Sequence, residues 1–177
     1  HDIHISSDGS FAVSVCYSGR RIRHIVMSTG VVTTLAGNGA VGSTNGVGTN
    51  AQFIYPSGVS ISNVDSSFVL ICDRANNIIR KVVLSTKTVT RVAGSGTSGA
   101  SNGIGTVATF ALPAYIALAS DDSFAVISEW TGRRVRKLVL STWAVTTLAG
   151  SPTSATGSAD GVGTMATFSD IGDVLLT

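Results

Sequence analysis

The sequence predicts an all-β protein built from repeated four-stranded blades, as in a β-propeller. Among its 177 residues, 44% are apolar and only 12% are charged, and Val, Ile, Thr and Ser far outnumber strong helix formers such as Lys and Glu. Apolar and polar residues alternate in short runs, which is typical of strands with one buried face. The same runs return along the chain at a fixed interval, which indicates a repeat architecture.

The repeat has a period of 56 to 57 residues. Leu35-Ala36-Gly37 returns as Val92-Ala93-Gly94 and again as Leu148-Ala149-Gly150. Because several independent residue series share this spacing, the repetition is not a coincidence of composition. The predicted units are repeats 1–52, 53–109 and 110–167, followed by a partial repeat 168–177.

Within one period the pattern predicts four strands joined by short turns. In the second repeat, the strands begin near Val59, Phe68, Arg80 and Val89. A sheet of four antiparallel strands cannot cover both of its own faces, so neighbouring repeats are expected to stack and share their cores. In the partial fourth repeat, the sequence predicts only a first strand around residues 174–176.

An aromatic residue precedes each predicted first strand, where it can wedge between two blades. In the first two copies a proline follows three residues later and restricts the entry to the strand. The residues predicted to pack the blades are Phe53, Phe110, Phe168, Pro56 and Pro113.

Three blades are too few to close a propeller, because about four to eight blades are typical. The sequence therefore leaves two interpretations open. The chain is a segment of a larger propeller, or copies of it join head to tail, in which case two copies would supply six blades.

Three blocks of sequence resemble the NHL-repeat family: the Asn-Gly-x-Gly-Thr-x-Ala-x-Phe-x-x-Pro loops, residues 73–82 and residues 89–94. The resemblance spans nearly the whole chain and implies a propeller. The family includes RNA-binding regulators, extracellular sensor and adhesion domains, and an amidating lyase. The resemblance therefore implies a fold and leaves the function open.

No catalytic residue, metal ligand or cofactor is predicted. A zinc site needs three or four converging ligands, whereas His4 and His24 lie on separate predicted strands. No Gly-x-Ser-x-Gly motif is present, and Cys16 and Cys72 are interpreted as small buried strand residues. The lyase of the NHL family would need histidines that this sequence lacks. If the chain belongs to such an enzyme, the active site would lie outside this segment.

Two acidic residues predict structural ion pairs. Asp73 and Glu129 occupy equivalent positions, and Arg80 and Arg136 each follow seven residues later. Across a tight hairpin these residues would be near neighbours, which favours carboxylate–guanidinium pairing.

Basic residues recur at the same hairpin of each repeat and predict an arc of charge on one rim. Such an arc could bind a polyanion, either RNA or an acidic glycan, although only Tyr17 and Trp130 are available there to stack bases. The alternative is a solvated, partly paired rim. The candidate residues are Arg20, Arg21, Arg23, Arg80, Lys81, Arg133, Arg134, Arg136 and Lys137.

The preferred functional hypothesis is a non-catalytic structural or protein-interaction scaffold outside the cell or at its surface. Its expected partners are other proteins, further copies of itself, the remaining blades of a propeller, and glycans. The charge-poor Gly/Ser/Thr loops suit an extracellular setting and O-glycosylation. Neither nucleic-acid binding, given the net charge of +2, nor membrane insertion is expected.

Overall fold

The computed structural model describes residues 2–176, and its regular structure is almost entirely β-strand. Four short 3-10 turns interrupt the loops at Gly48–Asn50, Arg74–Asn76, Gly105–Val107 and Gly163–Met165. The strands in chain order are β1 (Ile3–Ile5), β2 (Phe11–Cys16), β3 (Arg21–Val26), β4 (Val32–Ala36), β5 (Gly46–Val47), β6 (Pro56–Ile61), β7 (Phe68–Asp73), β8 (Ile78–Val83), β9 (Thr88–Ala93), β10 (Gly103–Ile104), β11 (Pro113–Leu118), β12 (Phe124–Glu129), β13 (Arg134–Val139) and β14 (Ala144–Ala149).

These strands form three antiparallel sheets, one for each full repeat. The first blade has the order β1-β2-β3-β4, the second β6-β7-β8-β9 and the third β11-β12-β13-β14. Each strand pairs with the strand that follows it in the chain, so every blade is a simple meander. The predicted all-β fold with four-stranded antiparallel blades is confirmed.

The two short strands β5 and β10 come from the loops between blades, which the sequence analysis did not assign to any sheet. β5 pairs with β9 through Gly46 and Val89, and β10 pairs with β14 through Gly103 and Val145. Each loop thus leaves one blade and adds a fifth strand to the outer edge of the next blade. This pairing covers an edge that would otherwise expose unpaired backbone groups.

The hydrophobic core lies between the blades. Along β7, Val69 and Ile71 belong to the cluster shared with the first blade, whereas Leu70 and Cys72 belong to the cluster shared with the third. This alternation follows from the two-residue period of a strand. The second sheet is therefore buried on both faces.

The structure places the predicted wedge residues at these joints. Phe53 is completely buried in the first cluster and Phe110 in the second, and each lies in the cluster that two adjacent blades share. Pro56 and Pro113 are buried at the start of the inner strands β6 and β11. Phe168 remains partly exposed.

Two expectations differ from the structure. Residues 168–176 form no strand, although residues 173–176 line a cavity together with residues of the inner strands β1, β6 and β11. Cys16, expected to be buried, is exposed, whereas Cys72 is buried; both thiols are free. Residues 1 and 177, the outer limits of the predicted repeats, lie outside the described residues.

Polar side chains join the innermost strands of neighbouring blades, where backbone pairing is absent. The Val59 N–H donates to Asp2 Oδ2 over 2.9 Å, and the Ile61 N–H donates to His4 Nδ1 over 3.1 Å. At the next joint, the Leu118 N–H donates to Ser60 Oγ over 3.1 Å. These contacts satisfy backbone donors that face the neighbouring blade.

Replacing Phe110 with Ala is expected to lower the free energy of unfolding by about 3–5 kcal/mol, because a buried ring between two blades is removed. Phe168→Ala is the matched control, since Phe168 occupies the equivalent position but is partly exposed. Urea denaturation followed by circular dichroism measures both variants. Equal losses for the two variants would contradict the wedge role of Phe110.

The contribution of His4 to stability is expected to fall as the pH drops below about 6.5. Burial lowers the pKa of His4 from its usual 6.5, and the nearby Asp2 carboxylate only partly offsets this. Below pH 6.5 the unfolded chain therefore takes up a proton that the folded imidazole resists, and the loss grows until the pH reaches the lower folded pKa. His4→Asn retains an acceptor for Ile61 but cannot titrate, so urea midpoints compared at about pH 7.5 and 5.5 should fall less in this variant. A variant that loses as much stability as the parent protein contradicts this role of His4.

Candidate binding surface

The hairpins between the second and third strands of each blade meet the interblade loops at one end of the sheets. Three glycines at equivalent positions allow this close approach: Gly37, Gly94 and Gly150 have φ angles of +92°, +95° and +102°. At each of them, an added Cβ would lie 2.5 Å from a hairpin carbonyl oxygen. Only glycine fits both the backbone conformation and the space, so this residue fixes the loop against the hairpin.

The hairpins themselves turn through a left-handed residue at the last position of each turn. These residues are Arg20, Asn77 and Arg133, with φ angles of 49°, 53° and 49°. Asn tolerates this conformation, whereas the two arginines are held in it by contacts of their side chains. Arg20 Nη1 donates to the Gly39 carbonyl and Arg133 Nε donates to the Ser169 carbonyl.

At the joint between two adjacent blades, a buried arginine forms hydrogen bonds with its own blade and with the preceding loop. Arg80 Nη1 donates to Asp73 Oδ2 over 3.1 Å and also to the Gln52 carbonyl, while Nη2 donates to the Thr44 carbonyl and to Asn45 Oδ1. Asp73 belongs to the same blade as Arg80, whereas the other three acceptors belong to the preceding loop. Arg80 therefore holds that loop against its own blade. The guanidinium also lies 5.0 Å above the centre of the Phe53 ring.

The third blade repeats this arrangement and adds a second arginine. Arg136 Nη1 donates to Glu129 Oε1 over 2.9 Å, and Nη2 donates to the Ser101 carbonyl in the preceding loop. Arg134 Nε donates to Glu129 Oε2 over 2.8 Å. The Arg136 guanidinium lies 5.3 Å from the centre of the Phe110 ring, as Arg80 does on Phe53 in the second blade.

Burial dominates the electrostatics of these pairs. It raises the pKa of the Asp73 carboxyl to about 6, against hydrogen bonds from Asn76 and Ile54 and the charge of Arg80. It also lowers the pKa of the Arg80 and Arg136 guanidiniums. Because Asp73, Arg80 and Arg136 are buried and paired with one another or with Glu129, they are not available to an external ligand.

The expectation of an accessible basic arc is wrong for three of its members, Arg80, Arg134 and Arg136. They are at most 1% exposed, because their hydrogen bonds are directed inward to carboxylates and loop carbonyls. Arg80 and Arg136 form the ion pairs that the sequence suggested, and Arg134 forms a further pair with Glu129 that it did not.

The remaining basic candidates are partly exposed and do not converge on one site. Arg21 donates to the Gly19 and Asn38 carbonyls, and Arg23 donates to Thr34 Oγ1. Lys81 Nζ lies 4.2 Å from the Phe68 ring centre, and Lys137 Nζ lies 4.4 Å from that of Phe124. Arg20 and Arg133 lie in the hairpin turns described above.

The hairpin ends instead present a row of aromatic and arginine side chains, which we call the aromatic row. Tyr17, Arg74 and Trp130 occupy the equivalent position of the three blades, directly after the second strand. The Arg74 Cζ lies 5.1 Å from the Trp130 ring centre and 6.0 Å from that of Tyr17. The guanidinium of the middle blade thus lies between aromatic rings of the two outer blades.

Beyond Tyr17, the aromatic row continues with Tyr55 and Arg20. Tyr55 stacks on Tyr17 with ring centres 4.7 Å apart, and the Arg20 guanidinium lies 5.3 Å from the Tyr55 ring centre. Towards the inner strands, a cavity of about 100 Å³ separates the second and third blades. Its lining residues are Ser57, Arg74, Ala114, Tyr115 and Trp130.

The outer parts of the row are open to solvent. Trp130 is 43% exposed and Tyr55 is 37% exposed. Within residues 2–176, the Arg74 guanidinium has no ion-pair partner and donates no hydrogen bond. Its cation–π contacts are with the Tyr17 and Trp130 rings. An unpartnered guanidinium beside exposed rings is able to bind an anionic or oxygen-rich ligand.

Sequence reasoning identified Tyr17 and Trp130 but missed Arg74, Tyr55 and Tyr115. Arg74 could have been found, because positions 17, 74 and 130 share the repeat spacing. Tyr55 and Tyr115 carry no such signal, since the corresponding positions of other blades have different residues.

Other kinds of site were not found in the described part of the chain. Across residues 2–176, no group of three or more His, Cys, Asp or Glu side chains is arranged to hold a metal ion. Likewise, none of the helical segments there is long and apolar enough to cross a membrane.

Comparison with known proteins supports the fold through structure alone. No protein-family model matches the chain, and no curated protein sequence matches it. A protein of unknown function from Bacteroides thetaiotaomicron is similar with a TM-score of 0.76 and 21% identity, covering 98% of this chain and 41% of that one. An auxiliary nutrient binding protein from Bacteroides ovatus gives a TM-score of 0.66 and 20% identity over 82% of this chain and 36% of that one.

An enzyme is also among the similar structures. Virginiamycin B lyase from Staphylococcus aureus has a TM-score of 0.53 and 14% identity, with coverage of 82% of this chain and 39% of that one. The chain spans about two fifths of the length of these structural neighbours. At these identities the similarity shows a propeller-like fold, and the resemblance to NHL repeats stays a prediction.

Glu129→Gln is expected to destabilise the protein more than Asp73→Asn, because two buried guanidiniums lose their partner instead of one. Breaking a buried pair costs about 3–5 kcal/mol. Asp160→Asn serves as the control and should cost much less, because the Asp160 carboxyl group is exposed and forms no ion pair among residues 2–176. Urea denaturation measures all three variants, and a reversed order would contradict the pairing.

Proposed function

We propose that the chain is a non-catalytic binding platform whose contact surface is the aromatic row at the hairpin ends. The observation that carries this proposal is Arg74, an unpartnered guanidinium between Tyr17 and Trp130. The rings are supported by three stacked sheets, so the surface is already ordered before a ligand arrives. Preorganised surfaces bind with a small entropic cost.

The absence of catalysis is part of the proposal. The acidic residues nearest to the row, Asp73 and Glu129, are buried and held by arginines, so they are not positioned to act on a bound ligand. A general acid or base must reach the reacting atom within hydrogen-bond distance. A structural neighbour that is named as a nutrient binding protein agrees with a binding role.

The proposal keeps the scaffold hypothesis but changes the surface that it uses. The basic arc contributes little, because its buried members are committed to the blade joints. An extracellular or cell-surface setting and association with further blades or copies stay predictions.

The test is a binding panel of three ligand classes: oligosaccharides, an acidic peptide such as poly-glutamate, and single-stranded poly-uridylate. We expect at least one class to bind, and mass spectrometry should recover that ligand unchanged. The double variant Tyr55→Ala/Trp130→Ala should reduce binding by about tenfold or more, since exposed aromatic anchors dominate such surfaces.

Met27→Ala is the matched control, because Met27 is 48% exposed and follows β3 at the opposite end of the sheet. This variant should bind like the parent protein. Three outcomes would contradict the proposal: no class binds, the bound ligand is chemically converted, or the aromatic double variant binds as tightly as Met27→Ala.

A further inference from the structure

We infer that the aromatic row binds an oligosaccharide that contains uronic acid, with a sugar ring on Trp130 and its carboxylate on Arg74. The inference rests on the proposed binding function and names the class of ligand. Three features carry it: the unpartnered guanidinium, the exposed rings beside it, and the size of the cavity between them.

Arg74 supplies the charge recognition. A guanidinium offers five N–H donors in a planar fork that matches a carboxylate in a bidentate manner. The Tyr17 and Trp130 ring centres lie 6.0 and 5.1 Å from its Cζ. Among residues 2–176 no hydrogen bond or ion pair occupies its donors, so they are available to a carboxylate.

The exposed rings supply a surface for an uncharged part of the ligand. The face of an aromatic ring carries partial negative charge and attracts the positive edges of C–H groups. A pyranose ring presents several axial C–H groups on one face and hydroxyl groups around its edge. Trp130 and Tyr55 lie on opposite sides of Arg74 along the row, so sugar residues on both sides of one carboxylate can find a ring.

The cavity offers space for the charged part of the ligand. Its volume of about 100 Å³ is sufficient for a carboxylate. Because Arg74, Tyr115 and Trp130 line it, a carboxylate there would meet the guanidinium while the sugar ring remained on the exposed indole.

A nucleic acid fits this surface less well. Binding to a phosphate backbone depends on neutralising several phosphates at once. Arg80, Arg134 and Arg136 are buried in ion pairs, so the row offers Arg74 as its unpartnered guanidinium among the described residues. With Arg20, which donates to the Gly39 carbonyl, the row carries two guanidiniums, too few to neutralise a run of phosphates. Arg74, the one without a hydrogen bond, matches a single carboxylate on a sugar.

The experiment compares oligogalacturonate with the same oligosaccharide after complete methyl esterification, by isothermal titration of the full chain. The two probes share their rings and differ in charge. We expect the acid to bind about tenfold or more tightly than the ester, as a charge-assisted pair predicts. Arg74→Gln should weaken binding of the acid by a similar factor and leave binding of the ester unchanged.

Two further variants separate the roles of charge and stacking. Arg74→Lys keeps the charge but loses the fork, so we expect intermediate affinity for the acid. Trp130→Ala should weaken both probes equally, while Met27→Ala should change neither. Thermal unfolding of each variant verifies that the fold is retained.

The inference is overturned if the acid and the ester bind equally well, or if Arg74→Gln binds the acid like the parent protein. It is also overturned if neither probe binds. In each of these cases the binding panel still decides the proposed function separately, because another ligand class can bind the same row.

Discussion

The fold depends on one requirement: a buried guanidinium must find a carboxylate and backbone carbonyl acceptors within the protein. Arg80 and Arg136 meet this requirement with a carboxylate from their own blade and carbonyl oxygens from the preceding loop. Removing a guanidinium from water costs several kcal/mol, and only well-placed acceptors offset this cost. The loop is therefore held in position, because its carbonyl oxygens accept hydrogen bonds from the buried guanidinium. Because the Phe ring beneath each guanidinium comes from the same connection, one residue ties together a sheet, a loop and an interblade wedge.

This arrangement makes each joint dependent on two adjacent repeats. The loop that leaves one blade is held by the arginine of the next blade and adds a short strand to its outer edge. Neighbouring inner strands are connected by side chains such as His4 and Ser60, which accept hydrogen bonds from the backbone of the next blade. Stability consequently accumulates at the contacts between repeats, as expected for a repeat protein.

The same geometry separates structural from functional positions. The second-strand carboxylates Asp73 and Glu129 point inward to the arginines, and the residues directly after them emerge at the hairpin ends. Equivalent positions in successive blades lie side by side there, so residues that are 56 or 57 positions apart in sequence form one surface. Tyr17, Arg74 and Trp130 differ from one another, although the positions they occupy are equivalent. The repeat thus supplies a rigid frame on which individual residues at the hairpin ends create a ligand surface.

The sequence by itself determined the all-β class, the four-stranded blades and the residues that occupy equivalent positions, because these properties follow from local alternation and from spacing along the chain. It also indicated that Asp73 and Arg80 would face each other across a hairpin, which is a contact between neighbouring strands. The tertiary structure decided which basic residues are buried, because Arg80 finds its acceptors at Thr44 and Gln52, in a loop brought to it by the packing of two blades. It likewise decided that Arg74 stands between two aromatic rings, since those rings come from the blades on either side. Contacts of this kind depend on how the sheets stack, and the stacking is a property of all the blades together.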